Sequence, residues 1–99
     1  MRRIFKYEID SWMTICVMPS NAKILSVASQ HDTPCLWAEV DDSQFKSEER
    51  TFRIIGTGNE FPKNCELQFI GTVLNGDYFP QHIYEDITAK KLKSERDAL

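Results

Sequence analysis

Arg50–Pro62, RTFRIIGTGNEFP, decides how this chain is read. Its first half alternates. Phe52 and Ile54 fall on one side and Arg53 on the other, the period of two that marks a strand with one buried face. Its second half, Gly56-Thr57-Gly58-Asn59, is made of residues that turn a chain. Two readings compete for that turn. In one it ends a strand, and the glycines supply turn dihedrals. In the other it is an anion cradle, a nest of backbone N–H groups. Arg50 and Arg53 before it and Lys63 after it would then clamp a phosphate or carboxylate. The chain has neither G-x-x-x-x-G-K-[ST] nor G-x-G-x-x-G opening a helix, so a strand followed by a turn is the leading reading. Arg50, Arg53, Gly56, Thr57, Gly58, Asn59 and Lys63 form the candidate ligand-binding set. Arg53, charged within an apolar strand, needs a carboxylate or a ligand if it faces inward; Glu39 is the candidate partner.

The same period runs through most of the chain. IFKYEID sets Phe5, Tyr7 and Ile9 against Lys6 and Glu8. WMTICVM is almost wholly apolar, as in a strand buried on both faces or packed against a partner. AKILSVASQ alternates Leu25 and Val27 with Ser26. CLWAEV offers Leu36, Ala38 and Val40 as core, with Cys35, Trp37 and Glu39 opposite. ELQFIGTVL places Leu67, Phe69 and Val73 on one face. Asn75-Gly76-Asp77 reads as a tight hairpin turn, because Asn-Gly accepts positive φ. YFPQHIYEDI returns as a last strand, with Pro80 marking an edge or an irregular start. Pro19-Ser20-Asn21 and His31-Asp32-Thr33-Pro34 are turns. The expectation is an all-β fold, a small antiparallel sandwich or barrel of about seven short strands. Residues 1–87 form one β-rich domain. Residues 88–99, TAKKLKSERDAL, form a basic tail, a short helix or a disordered end.

Composition bounds the function. At 99 residues with 41% apolar and 27% charged residues, the chain reads as one soluble globular domain. The net charge is −3. Residues 88–99 carry Lys90, Lys91, Lys93 and Arg96 against Glu95 and Asp97, a sum of +2, and the first 87 residues sum to −5, an acidic body. Such a body argues against capture of duplex nucleic acid, which needs many lysines and arginines against phosphates. Three cysteines, none in a C-x-x-C pair, fit free thiols in a reducing cytoplasm. No segment has the apolar length of a signal peptide core or a membrane span.

The segments IFKYEID, MPSNAKILSVASQ, PCLWAEVD, EERTFRIIGTG and FIGTV, with a closing HIYED, resemble a family of small phage and prophage proteins. The likeness spans residues 3–86. It implies a small, β-rich viral protein in the host cytoplasm, with no assigned chemistry. This chain departs from that pattern after the GTG, where Asn59-Glu60-Phe61-Pro62 brings in an acid. The basic tail beyond Ile87 is a second departure.

Other chemistry finds little purchase. Cys16, Cys35, Cys65, His31 and His82 are the conceivable metal ligands, but their spacing lacks the close pairs of zinc sites. No metal or cofactor is expected. His82 with Asp77, Tyr84 or Glu85 could form an acid–base group, and Cys35 with a histidine a nucleophile. No nucleophile elbow or H-E-x-x-H supports either. The leading expectation is therefore a non-enzymatic phage-encoded binding protein, a homo-oligomer acting on a host factor or sequestering a small anionic nucleotide. The alternatives are a small hydrolase using His82 and a nearby carboxylate, or an accessory phage component without a ligand. Two tryptophans and six phenylalanines in so small a chain favour an aromatic subunit interface.

Overall fold

Alternation of apolar and polar side chains yields strands that each have one oily face, and two sheets of such strands can close on each other. A computed structural model describes residues 1–43, 45–76 and 79–98. Its elements are β1 (Arg2–Glu8), β2 (Met13–Pro19), β3 (Lys23–Gln30), β4 (Thr33–Asp41), β5 (Ser47–Gly56), β6 (Leu67–Val73), β7 (Gln81–Asp86) and α1 (Thr88–Asp97). One sheet has the order β1-β4-β3 and the other β2-β5-β7-β6. Every pairing is antiparallel. The fold is an open sandwich and not a closed barrel.

The core lies between the sheets. Leu36, Ala38 and Val40 of β4 face Cys16, Met18, Phe52, Ile54 and Ile83 of the four-stranded sheet, with Ile9 and Val73 at the ends. Phe52 is fully buried, worth about 1.5–3 kcal/mol by its removal from water. β5 is central and alternates from Arg50 to Ile54 before Ile55 and Gly56 are buried as well, which is why its period is plain in that part of the sequence.

Two strands break the alternation. β3 shifts register between Ile24 and Ser26, and β6 between Phe69 and Gly71. These bulges send Leu25 and Phe69 outward, 44% and 55% exposed, and turn Ile24, Val27 and Ile70 toward the core. The expectations for Leu25, and for Phe69 on the same face as Val73, are corrected accordingly. The two bulges meet at one corner of the sandwich. There a Cβ on Gly71 would stand 2.7 Å from Val27 Cγ2, so the side-chain-free residue permits the close approach of β3 and β6.

Turns also differ from expectation in one place. His31 and Asp32 both have positive φ, 52° and 61°, and Gln30 pairs with Thr33, the mark of a two-residue type I′ hairpin. The tight hairpin expected at Asn75-Gly76-Asp77 is instead a longer connection between β6 and β7, in which Asp77 lies outside the described residues. Asn75 is buried and works as a tie. Its Nδ2 donates to the Asp32 carbonyl at 2.9 Å, and its Oδ1 accepts from Ser29 Oγ at 2.5 Å.

The basic tail is the helix α1, with no buried residue. It is held at its start. Asp86 Oδ1 accepts from the Thr88 amide at 3.0 Å and from the Thr88 hydroxyl at 2.6 Å, which satisfies one of the helix's orphan N–H groups. Lys91 Nζ reaches Glu66 Oε1 at 2.7 Å. No helix among the described residues is long and apolar enough to cross a membrane.

Candidate functional site

β5 supplies both arginines of the candidate set, and its pleat separates them. Arg50 shares the inward parity of Phe52 and Ile54. Across β7, Glu85 shares the inward parity of Ile83. The two meet inside the sandwich. Arg50 Nε and Nη2 each donate to a Glu85 carboxylate oxygen at 2.7 Å, and Nη1 donates to the Ala22 carbonyl at 2.5 Å. Both residues are at least nine-tenths buried. The planar guanidinium matches the carboxylate in two parallel bonds, the geometry that lets buried opposite charges survive desolvation. The Glu85 carboxylate raises the Arg50 pKa above its ordinary value, against the burial that pulls it down. Lys90 Nζ stands 4.0 Å from Glu85 Oε2. Arg50 is thus committed to the interior and does not flank the Gly56–Asn59 loop.

Arg53 faces outward, and its partner is Asp86, not the expected Glu39. Arg53 Nε donates to Asp86 Oδ2 at 2.9 Å. Glu39 lies on the other sheet and pairs with Arg2 at 2.8 Å. Burial alone would push the Asp86 carboxyl up, but the Thr88 hydroxyl and amide and the Arg53 guanidinium together hold it below its ordinary value. Asp86 therefore ties the outer face of the sheet to the start of α1.

The loop closes on itself. The Asn59 amide donates to the Gly56 carbonyl at 3.0 Å, and the Thr57 amide to the Pro80 carbonyl at 3.3 Å. Gly58 has φ of 86°, the third-position conformation of a type II turn, which favours glycine. Asn59 folds over Gly56, where an added Cβ would meet Asn59 Nδ2 at 2.8 Å. Two of the loop's N–H groups are therefore spent within the fold. Of the seven candidates, the structure brings Arg53, Asn59 and Lys63 together, around a shallow groove of ≈ 470 Å³ also lined by Trp12 and Phe61.

His82 lies on the same outer face with both ring nitrogens occupied. Thr57 Oγ1 is 2.9 Å from Nε2 and Thr72 Oγ1 2.9 Å from Nδ1. Among the described residues no carboxylate bonds the ring, and Glu85 points to the opposite face. Asp77, the other acid considered, lies outside the described residues. Cys16 and Cys35 are buried, and burial raises their thiol pKa values, so little reactive thiolate forms. Among the described residues no group of three or more acidic, cysteine or histidine side chains could hold a metal ion.

The prominent feature of this face is apolar. β2 was expected to be buried on both faces or covered by a partner. Cys16 and Met18 are buried, but Met13, Ile15 and Val17 are 48%, 53% and 62% exposed. Further along the face, Tyr84 lies edge-on to Phe61 at 5.4 Å and Phe69 at 5.3 Å. Trp12 stands exposed beside them. Aromatics, methionine and arginine are the residues enriched at protein interfaces. Sequence reasoning found the apolar run of β2 but not the aromatic trio, whose members come from β6, β7 and the loop after β5.

A two-sheet antiparallel sandwich with a half-exposed apolar row on its edge strand β2 defines the class of this protein. Residues 1–94 match the family described as a domain of unknown function, DUF7352, and the chain belongs to that family. No curated protein and no solved structure matches it.

Proposed function

We propose that this is a non-enzymatic binding protein, phage-encoded, that works through protein contacts as a homo-oligomer and acts on a host factor in the cytoplasm. One observation carries the reading: the outer face of β2-β5-β7-β6 leaves Met13, Ile15, Val17, Phe61 and Phe69 about half exposed or more. Arg50, Arg53 and His82 are meanwhile held in internal bonds. Large apolar side chains are costly to leave in water, and a row such as Met13, Ile15 and Val17 on one strand is the kind of surface that marks a contact site.

The capture of a small anionic nucleotide has weaker support. The loop amides of Thr57 and Asn59 are bonded already, Arg50 is enclosed with Glu85, and Arg53 is paired with Asp86. Two measurements test these readings. Light scattering on the purified protein should give a mass above that of one chain. A monomer at every concentration removes the homo-oligomer. Thermal shift with millimolar cyclic nucleotides should leave the melting point unchanged. A rise would restore the anion reading, because a ligand that binds only the folded state must stabilise it.

A further inference from the structure

We infer that the second copy docks on β2, edge to edge and antiparallel, with the two-fold axis at Ile15. This deepens the homo-oligomer reading above and rests on it. The argument starts from which strand edges the fold protects. An open sandwich has four, and an unprotected edge is a template for another strand. β3 and β6 meet at their bulged corner. β1 presents Arg2, Lys6 and Glu8 along its edge, with Arg2 bonded to Glu39 and Lys6 to Gln30. β2 alone has no bulge and no charged residue, MTICVMP.

The hydrogen-bond parity of β2 follows from its ends. The Ile54 amide donates to the Trp12 carbonyl, and the Ser20 amide to the Lys46 carbonyl, each at 3.0 Å. With the register Met13↔Arg53 through Pro19↔Ser47, even-numbered residues therefore bond toward β5. The N–H and C=O groups of Met13, Ile15 and Val17 point to the open edge. Pro19 has no N–H to offer, and its carbonyl already accepts from the Ala22 amide at 3.2 Å. The edge thus holds three consecutive outward-bonding residues, centred on Ile15.

That pattern is self-complementary. With the axis at Ile15, Met13 lies opposite Val17 of the second copy and Ile15 opposite its own equivalent. Each such pair exchanges two hydrogen bonds, and every outward group of the three residues is used. Moving the axis one residue toward Pro19 sets Met13 against the proline and loses a donor. In the Ile15 register the pleats match, so the exposed row of Met13, Ile15 and Val17 continues into the same row of the second copy as one apolar strip. On the inner side, Thr14 falls opposite Cys16. Charge does not oppose this register: Glu49 flanks Val17, and Arg53, already paired with Asp86, flanks Met13, so no like charges are brought together. An isologous contact of this kind closes after two copies and does not propagate.

The position on the axis gives a specific test. Ile15→Lys and Ile15→Glu each set a like charge against itself at a site that is 53% exposed in one chain, so circular dichroism and melting of dilute protein should match the wild type. By light scattering the wild type should be a dimer, each variant alone a monomer, and an equimolar mixture of the two a dimer again. In addition, Thr14→Cys should oxidise to a covalent dimer, with peptide mass spectrometry finding position 14 linked to Cys16 of the second copy. A dimeric wild type whose variants stay dimeric, or whose mixture stays monomeric, overturns this interface and leaves the homo-oligomer reading standing. A monomeric wild type removes both.

Discussion

The two faces of the four-stranded sheet are furnished in opposite ways to the usual expectation. Inside, beside Phe52 and Ile83, lies a bidentate ion pair, Arg50–Glu85. Outside, on the neighbouring strand, Met13, Ile15 and Val17 face water. Charge buried and oil exposed on one sheet teach that its two faces solve different problems. The inner pair links β5 to β7 and, through the Ala22 carbonyl, to the turn that leads into the other sheet. It can specify how the sheets dock only because every strong donor finds an acceptor. The outer row is about half exposed in one chain, and the use proposed for it is contact with another.

The largest effect expected from this contrast is on the inside. Glu85→Ala leaves the Arg50 guanidinium without its counter-charge and should destabilise the fold by about 3–5 kcal/mol, read as a lower urea midpoint. Pairing it with Arg50→Met should recover most of the loss, since the cost comes from the stranded charge. If Glu85→Ala were harmless, the pair would not be holding the sheets together.

Arg53→Ala on the outer face should cost less, about 1–2 kcal/mol, because Asp86 keeps its two bonds from Thr88 when the guanidinium is lost. Its effect should shrink further in high salt. A loss as large as that of Glu85→Ala would erase the distinction between the two faces.

Acid titration gives a third handle. Asp86 is held below its ordinary value in the fold, and Asp41 is held down to about 2 by the Ser43 hydroxyl and amide and by the N-terminal amine. A carboxyl depressed by folding favours the folded state above its unfolded pKa, and that contribution is lost as pH falls through the folded value. The urea midpoint should therefore fall between pH values near the ordinary carboxylate pKa of 3.8 and about 2. Asp86→Asn should make that fall shallower. An unchanged slope would mean that Asp86 does not carry its share.

The smallest effect belongs to the exposed row. Val17→Thr in dilute protein should move the unfolding free energy by less than about 0.5 kcal/mol. A loss of core size would place Val17 inside one chain and contradict the exposure on which the interface rests.

Much of the fold was legible because β4 and β5 sit centrally in their sheets and alternate from Leu36 to Val40 and from Arg50 to Ile54. Leu36, Ala38, Val40, Phe52 and Ile54 occupy the core as their spacing requires. The bulges in β3 and β6 were not legible. They answer to the meeting of Val27 and Gly71, residues 27 and 71 in a contact that no local pattern encodes. The Arg50–Glu85 pair was half legible. Parity with Phe52 puts Arg50 inside, and parity with Ile83 does the same for Glu85, yet the turn-rich GTG drew Arg50 into an outer loop. The true partner of Arg53 was hidden because strand order decides it: β7, not β4, is the neighbour of β5. The apolar run of β2 reads in sequence as a strand buried on both faces or packed against a partner; within one chain only Cys16 and Met18 are buried, while Met13, Ile15 and Val17 are not.

Amide hydrogen exchange along β2 tests the account most directly. Thr14, Cys16 and Met18 bond toward β5 and should be protected at every protein concentration. Met13, Ile15 and Val17 should exchange quickly in dilute protein and become protected as concentration rises, together and with one midpoint. If those three amides stay fast at all concentrations, or if the gain in protection falls on β1 instead, the edge of β2 is not where a second copy binds.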